Sequence, residues 1–251
     1  MCSSLYGIIP VSQSILVCYQ GSIAHGTYIE GHIDDKDILA VVVPGIEYYY
    51  GLRKFGRQGT KVIQRDQWDI TMHGVRKFIS LCAKGNPNVL SALWIDEADI
   101  ILDHYAGQHL RARRDLFATK KAYNAFAGYA SSQLKRMTKV GEYQGYMGAK
   151  RKALVNKHGY DPKNASHLIR LLRLGIEFLE TGNLTVKRPD AMELLAIKQG
   201  EWSLERVQSH AEELFEQARV TRDKSTLPDK PDMDAVNKLC VEVVKMGLGI
   251  L

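Results

Sequence analysis

A chain of 251 residues with 45% hydrophobic and 25% charged side chains has an ordinary globular composition, which excludes a disordered chain and suffices to bury a core unaided. Cys2, Cys18, Cys82 and Cys240 lie far apart with no CxxC pair, which excludes a zinc ribbon and a disulfide framework and points to a reducing cytoplasm. The formal charge of +6 is unevenly spread: residues 106–200 hold 18 Lys/Arg against 7 Asp/Glu, whereas 1–105 hold 9 against 11 and 201–251 hold 7 against 10. A basic middle segment between two mildly acidic ones suits a polyanionic partner, either nucleic acid or a nucleoside triphosphate. The longest strongly apolar run, residues 38–43, is too short to cross a bilayer. The first residues carry no basic region followed by an apolar one, so neither membrane nor secretion is expected.

Residues 14–19 (SILVCY) read as a buried strand that stops at Gly21, and residues 38–43 (ILAVVV), β-branched and closed by Pro44-Gly45, as a second. Residues 61–71 read as a third strand with a more exposed face. Residues 72–84 carry Val75, Phe78, Ile79 and Cys82 at helical spacing, Gly85-Asn86-Pro87 ends the pattern, and a short helix over 88–94 follows. From about residue 105 helical patterns take over. The first covers 120–139, with Ala122, Phe126, Tyr129 and Leu134 facing inward. The next, 161–181, opens with a capping Asp161 and Pro162 at the first helical position and ends at Gly182-Asn183. Helices over 189–199, 203–221 and 232–246 complete the chain, with a polar connection at 223–231. The expected fold is α+β: a small mixed β-sheet core with flanking helices over 1–105, then an all-helical, basic domain over 106–251 that binds substrate or nucleic acid.

The chemistry concentrates in residues 20–43 (QGSIAHGTYIEGHIDDKDILAVVV): a strand ending in Gly21-Ser22, a Gly-rich connector, and Asp35-Lys36-Asp37 leading into an apolar strand. Residues two apart on a strand share a side, so Asp35 and Asp37 converge. Two adjacent carboxylates repel unless a divalent cation lies between them, and Mg²⁺ prefers such oxygen ligands together with waters and substrate phosphates. Gly21 lets backbone approach a ligand, the Ser22 hydroxyl and nearby N–H groups suit phosphate oxygens, and His25 in the same loop is a further phosphate contact. Two-metal phosphoryl chemistry needs a third carboxylate and a base. Asp69 is assigned that place, with Asp66 as the fallback. Lys163, His167 and Arg170 fall in one narrow stripe of the 161–181 helix, opposite Leu168, Leu172 and Leu179, as cations for phosphate. The run 145–152, which includes Lys150, offers either a phosphate or RNA contact or a plain charged surface, and Tyr143 and Tyr146 beside it either stack a base or anchor a helix. The Tyr48-Tyr49-Tyr50 cluster reads as packing, with a base-stacking wall as the alternative.

This order of motifs resembles the nucleotidyltransferase superfamily of DNA polymerase β type, closest to a group of predicted bacterial and phage nucleotidyltransferases. The resemblance rests on Gly21-Ser22-Ile23-Ala24-His25-Gly26-Thr27, on Asp35-Lys36-Asp37, on Gly85-Asn86-Pro87-Asn88, and on Lys163, His167 and Arg170, and spans roughly residues 14–207. Two positions depart from the pattern. Asp34 stands where Ser or Thr is common, so a register slip would exchange Asp34 for Asp35, and Lys36 stands where an apolar residue is common. The resemblance implies transfer of a nucleoside monophosphate from an NTP to a hydroxyl, with Mg²⁺ or Mn²⁺. Asp35 and Asp37 would be metal ligands and Asp69 a shared ligand or base. The basic segment favours a nucleic-acid acceptor, RNA first. A protein hydroxyl as acceptor, and a non-catalytic nucleic-acid binder that keeps only the fold, are the two alternatives.

Overall fold

A computed structural model describes residues 5, 7–28, 35–138 and 149–250, except for the side chain of Lys150. It contains a five-stranded mixed sheet in the N-terminal part and a helical region after it. The strands are β1 (Ser14–Tyr19), β2 (Lys36–Val42), β3 (Thr60–Arg65), β4 (Trp68–Gly74) and β5 (Ile100–Asp103), in the order β3-β4-β2-β1-β5. Only β2 and β4 pair parallel; β1–β2, β1–β5 and β3–β4 are antiparallel. The apolar run that makes β2 lies at the centre of the sheet, as near-continuous hydrophobic strands do when both faces are covered. On one face Ile38, Ala40 and Val42 pack with Val17, Trp68, Ile70, Met72, Leu5 and Ile9.

A single helical turn, α1 (Gly21–His25), follows β1, and α2 (Val75–Cys82) follows β4 and packs on β2 and β4, burying Val75, Phe78, Ile79 and Cys82. Next come α3 (Pro87–Leu90) and α4 (Tyr105–Ala112). The residues read as one strand over 61–71 form two. A turn at Asp66, whose φ is +55°, folds β3 back on β4. Asp tolerates this left-handed conformation better than most side chains. β4 then continues to Gly74, which delays the start of the helix expected from residue 72.

The helical region holds α5 (Ala122–Thr138), α6 (Ala149–His158), α7 (Pro162–Thr181), α8 (Ala191–Gln199) and α9 (Leu204–Lys224). On α5 the buried positions are Ala122, Phe126, Ala130 and Met137; Tyr129 and Leu134, expected inside, are only half-buried. α7 is the hub, with α5, α6, α8 and α9 all packed on it. Its ends follow the sequence signals. The Asp161 carboxylate accepts the N–H groups of Lys163 and Asn164, and Gly182 closes the helix at φ +71°. A last helix, α10 (Met233–Gly247), is capped by Asp232.

The chain divides into two compact units, Met1–Phe117 with Pro231–Leu251, and Ala118–Lys230. This differs from the single boundary expected at 105/106. α4 packs on β1, and α10 packs on α4 and α2, so both belong with the sheet. By these limits the helical unit holds 20 Lys/Arg against 13 Asp/Glu, and the rest of the chain 14 against 15. No helix among the described residues is long and apolar enough to cross a membrane.

Candidate active site

The Gly21-Ser22 motif leaves the end of β1 and turns at once into α1. Gln20 is extended, and its N–H donates to the Asp37 carbonyl at 2.8 Å, continuing the β1–β2 ladder by one step. Gly21 has φ +58°, and a Cβ built there would stand 1.9 Å from Asp37 Oδ2. Glycine is therefore required twice, for its backbone angle and for its missing side chain. The Gln20 amide also donates to the Asn88 carbonyl at 2.8 Å, where Asn86 caps α3 by accepting the Asn88 N–H at 3.1 Å. The Asn86-Pro87 turn is thus tied to the residue that precedes Gly21.

On the other side of Asp37, the parallel β2–β4 register places Asp37 directly opposite Asp69. Neighbouring strands lie about 4.8 Å apart, and both residues alternate with buried ones (Ile38 and Ile70), so the two carboxylates share the face opposite that core. The antiparallel β3 adds Gln64 opposite Asp69, and its amide donates to Asp69 Oδ2 at 3.3 Å. Asp66, at the exposed β3–β4 turn, is off this row. Asp35 lies just ahead of β2 and is exposed. Asp34, the alternative to it, falls outside the described residues. Among the described residues no three His, Cys, Asp or Glu side chains are gathered closely enough to hold a metal ion together. The Asp37–Asp69 pair by itself fits a divalent cation of the Mg²⁺ type, which takes a few carboxylate oxygens and completes its shell with water and phosphate.

Of the loop residues, Ser22 is half-buried, while His25 is only 8% exposed and offers a ligand little of its ring. The tyrosine cluster divides. Tyr48 packs edge-on against Phe55, burial pushes the Tyr49 hydroxyl well above its ordinary pKa, and Tyr50 is open to solvent.

In the helical unit, Lys163, His167 and Arg170 form the expected line along α7. Lys163 is exposed and the other two are half-buried, in a helix otherwise buried around most of its circumference. Burial and the neighbouring Arg188 cation push Arg170 down to about 10, against a smaller opposing pull from Asp190, so it stays charged at neutral pH. Arg173, one turn on, is engaged by Asp190 and Glu193 at 2.6 and 2.5 Å. Tyr143, Tyr146 and residues 145–148 of the basic run fall outside the described residues, as does the side chain of Lys150. Arg151 of that run is tied to protein groups. Its guanidinium grips the buried Asp161 through Nε and Nη2 and reaches Asn164 Oδ1 at 3.1 Å, joining α6 to the start of α7.

Gln20 and Gln64 are the residues that sequence reasoning missed here, and the tie of Arg151 to Asp161 is a role it did not give that residue. An Asp-Gln pair between two β-prone runs was the one signal for the hairpin that positions Gln64.

No curated protein matches the chain. A family model described as the RNA repair pathway DNA polymerase beta family, RlaP, matches residues 11–242, which takes in the sheet, the Gly21 loop, both aspartates and the α7 line. The chain belongs to the RNA repair pathway DNA polymerase beta family, and so to the nucleotidyltransferase superfamily.

Proposed function

We propose that the protein is a Mg²⁺- or Mn²⁺-dependent enzyme that moves a nucleoside monophosphate from an NTP to a hydroxyl at a nucleic-acid end, RNA first. The observation that carries this reading is the row Gly21, Asp37, Asp69: two carboxylates in register on parallel strands, with a bare glycine backbone against the first. The family's description as an RNA repair pathway supports RNA as the acceptor class, and the excess of cations in the helical unit suits a polyanion.

In this reading Asp37 and Asp69 hold the divalent cation, with Asp35 joining from the segment ahead of β2. A cation so held polarises phosphate oxygens and lowers the pKa of a bound hydroxyl. Asp69, steadied by Gln64, serves as shared ligand or as base for the acceptor hydroxyl. The first N–H groups of α1, which have no acceptor within the turn, and the Ser22 hydroxyl face the triphosphate. Lys163, His167 and Arg170 act as phosphate contacts of the helical unit, and positioning with electrostatics supplies most of the acceleration.

The test is transfer from α-labelled NTPs, with Mg²⁺, to RNA, short DNA and whole-cell protein. Label should appear on RNA and fall by about a thousandfold or more in Asp37→Asn and Asp69→Asn, since a metal ligand supplies several kcal/mol of transition-state stabilisation. Label on protein instead would replace the acceptor class. No label on any acceptor, despite salt-sensitive RNA binding, would leave a binding protein and overturn the catalytic assignment.

A further inference from the structure

The helical unit carries an open surface cleft of about 570 Å³ remote in sequence from every residue assigned above. One wall is Lys120, Lys121 and Asn124, at the start of α5. The other is Arg222 and Asp223 in the last turn of α9, with Asp229 and Lys230 just beyond. The Lys120 N–H donates to the Pro228 carbonyl at 2.8 Å, so the two walls are joined by backbone and the cleft is preformed.

Both carboxylates in the lining are already used. Asp223 Oδ1 accepts from Arg222 Nε and Nη2 at 3.0 and 2.7 Å, while the same guanidinium stands over the Tyr123 ring, 4.8 Å from its centre. Asp229 Oδ1 faces Lys120 Nζ at 3.3 Å. Among the described residues Lys121 and Lys230, both exposed, have no carboxylate partner. Four cations thus converge, two held in place and two uncommitted, in a unit with seven more cations than anions. Such a cleft attracts an anion.

The shape identifies which anion. A site for a free nucleotide encloses most of its ligand, and this cleft is open. Among the described residues its lining has no aromatic face for a base to stack on, so it suits phosphate and sugar without reading sequence.

We infer that the cleft between the start of α5 and the end of α9 is a binding site for the sugar–phosphate backbone of the RNA acceptor. Lys121 and Lys230 engage successive phosphates, and Arg222 and Asn124 supply oriented donors between them. The inference rests on RNA being the acceptor, and it gives the helical unit a holding function apart from the α7 line.

The experiment measures binding of a labelled single-stranded RNA across a salt series for the protein and for Lys121→Ala/Lys230→Ala, with thermal midpoints as the folding check. The double variant should keep its midpoint, bind on the order of tenfold more weakly near 0.1 M salt, and show a log–log salt slope shallower by about 1.4, or about 0.7 for each phosphate no longer neutralised. An unchanged slope and affinity in the double variant, with RNA still labelled or bound, would overturn the cleft and leave the RNA reading intact. An unaltered protein that binds no RNA at any salt would overturn both.

Discussion

Gly21 is the residue on which the proposed site depends most, because its backbone fills the space beside the Asp37 carboxylate. In Gly21→Ala the new methyl would lie where Asp37 Oδ2 now is, and the left-handed backbone costs an L-residue about 1–2 kcal/mol in addition. The carboxylate or the loop must move by about an ångström, and misplacement on that scale costs on the order of a hundredfold in rate. Nucleotidyl transfer should therefore fall by about that factor while the melting temperature drops by only a few degrees. A rate within twofold of the unaltered protein would show that the carboxylate need not stay where this backbone puts it. The sequence made this residue legible through Gly-Ser at a strand end, and Asp37 through the apolar strand that follows it. The partner, Asp69, was legible only as an acid on a neighbouring strand. Its pairing with Asp37 is a register property, and register is fixed by cross-strand packing that one strand does not encode.

At the scale of elements, the hairpin β3–β4 shows why Gln64 was missed. Two β-prone runs separated by Asp66-Gln67 look continuous when composition alone is followed, and the turn is carried by one residue's left-handed φ. α7 was the opposite case. Its Asp161-Pro162 start and Gly182 end are local devices, so both limits could be read directly, but its burial on nearly all sides depends on four neighbouring helices and could not. That central position makes the ion pairs at its rim matter. Burial raises the Asp190 carboxyl, but hydrogen bonds and charge from Arg173 and Arg188 outweigh this and hold it below its ordinary value. A carboxyl whose folded pKa is depressed contributes stability that is complete above the unfolded value of about 3.9 and is lost as pH falls through the folded one. Urea unfolding of the helical unit should thus show an acid limb below about pH 4 that flattens in Asp190→Asn. The same limb in the variant would assign the acid sensitivity to other carboxylates.

At the scale of the molecule, the unit that holds Asp37 and Asp69 is assembled from two stretches of chain. α10 buries Val236, Leu239 and Val243, its Met246 carbonyl accepts the Tyr105 hydroxyl at 2.5 Å, and Glu242 meets His109 at 2.9 Å. Gly247 comes so close to Val43, the residue after β2, that a Cβ there would lie 2.6 Å from it. At about 1.5–3 kcal/mol for each buried aliphatic side chain, removing residues 231–251 costs roughly 5 kcal/mol or more, comparable with the whole stability of an ordinary domain. The truncated chain should lose the near-ultraviolet signal of its sheet unit and all transfer, while the helical signal of residues 118–230 persists. A truncation that keeps its activity would show that α10 is an accessory.

That discontinuity also sets an order of events during synthesis. A ribosome makes chain at about 5–20 residues per second, and domains fold as they emerge. The helical stretch Ala118–Lys230 is continuous and is free to close as soon as it is out, whereas the sheet, begun first, must wait for residues 231–251. The unit that carries Asp37 and Asp69 is therefore completed only once α10 has emerged. A chain broken off anywhere before α10 is left without a finished centre, so on this reading no incomplete product acquires the power to alter RNA.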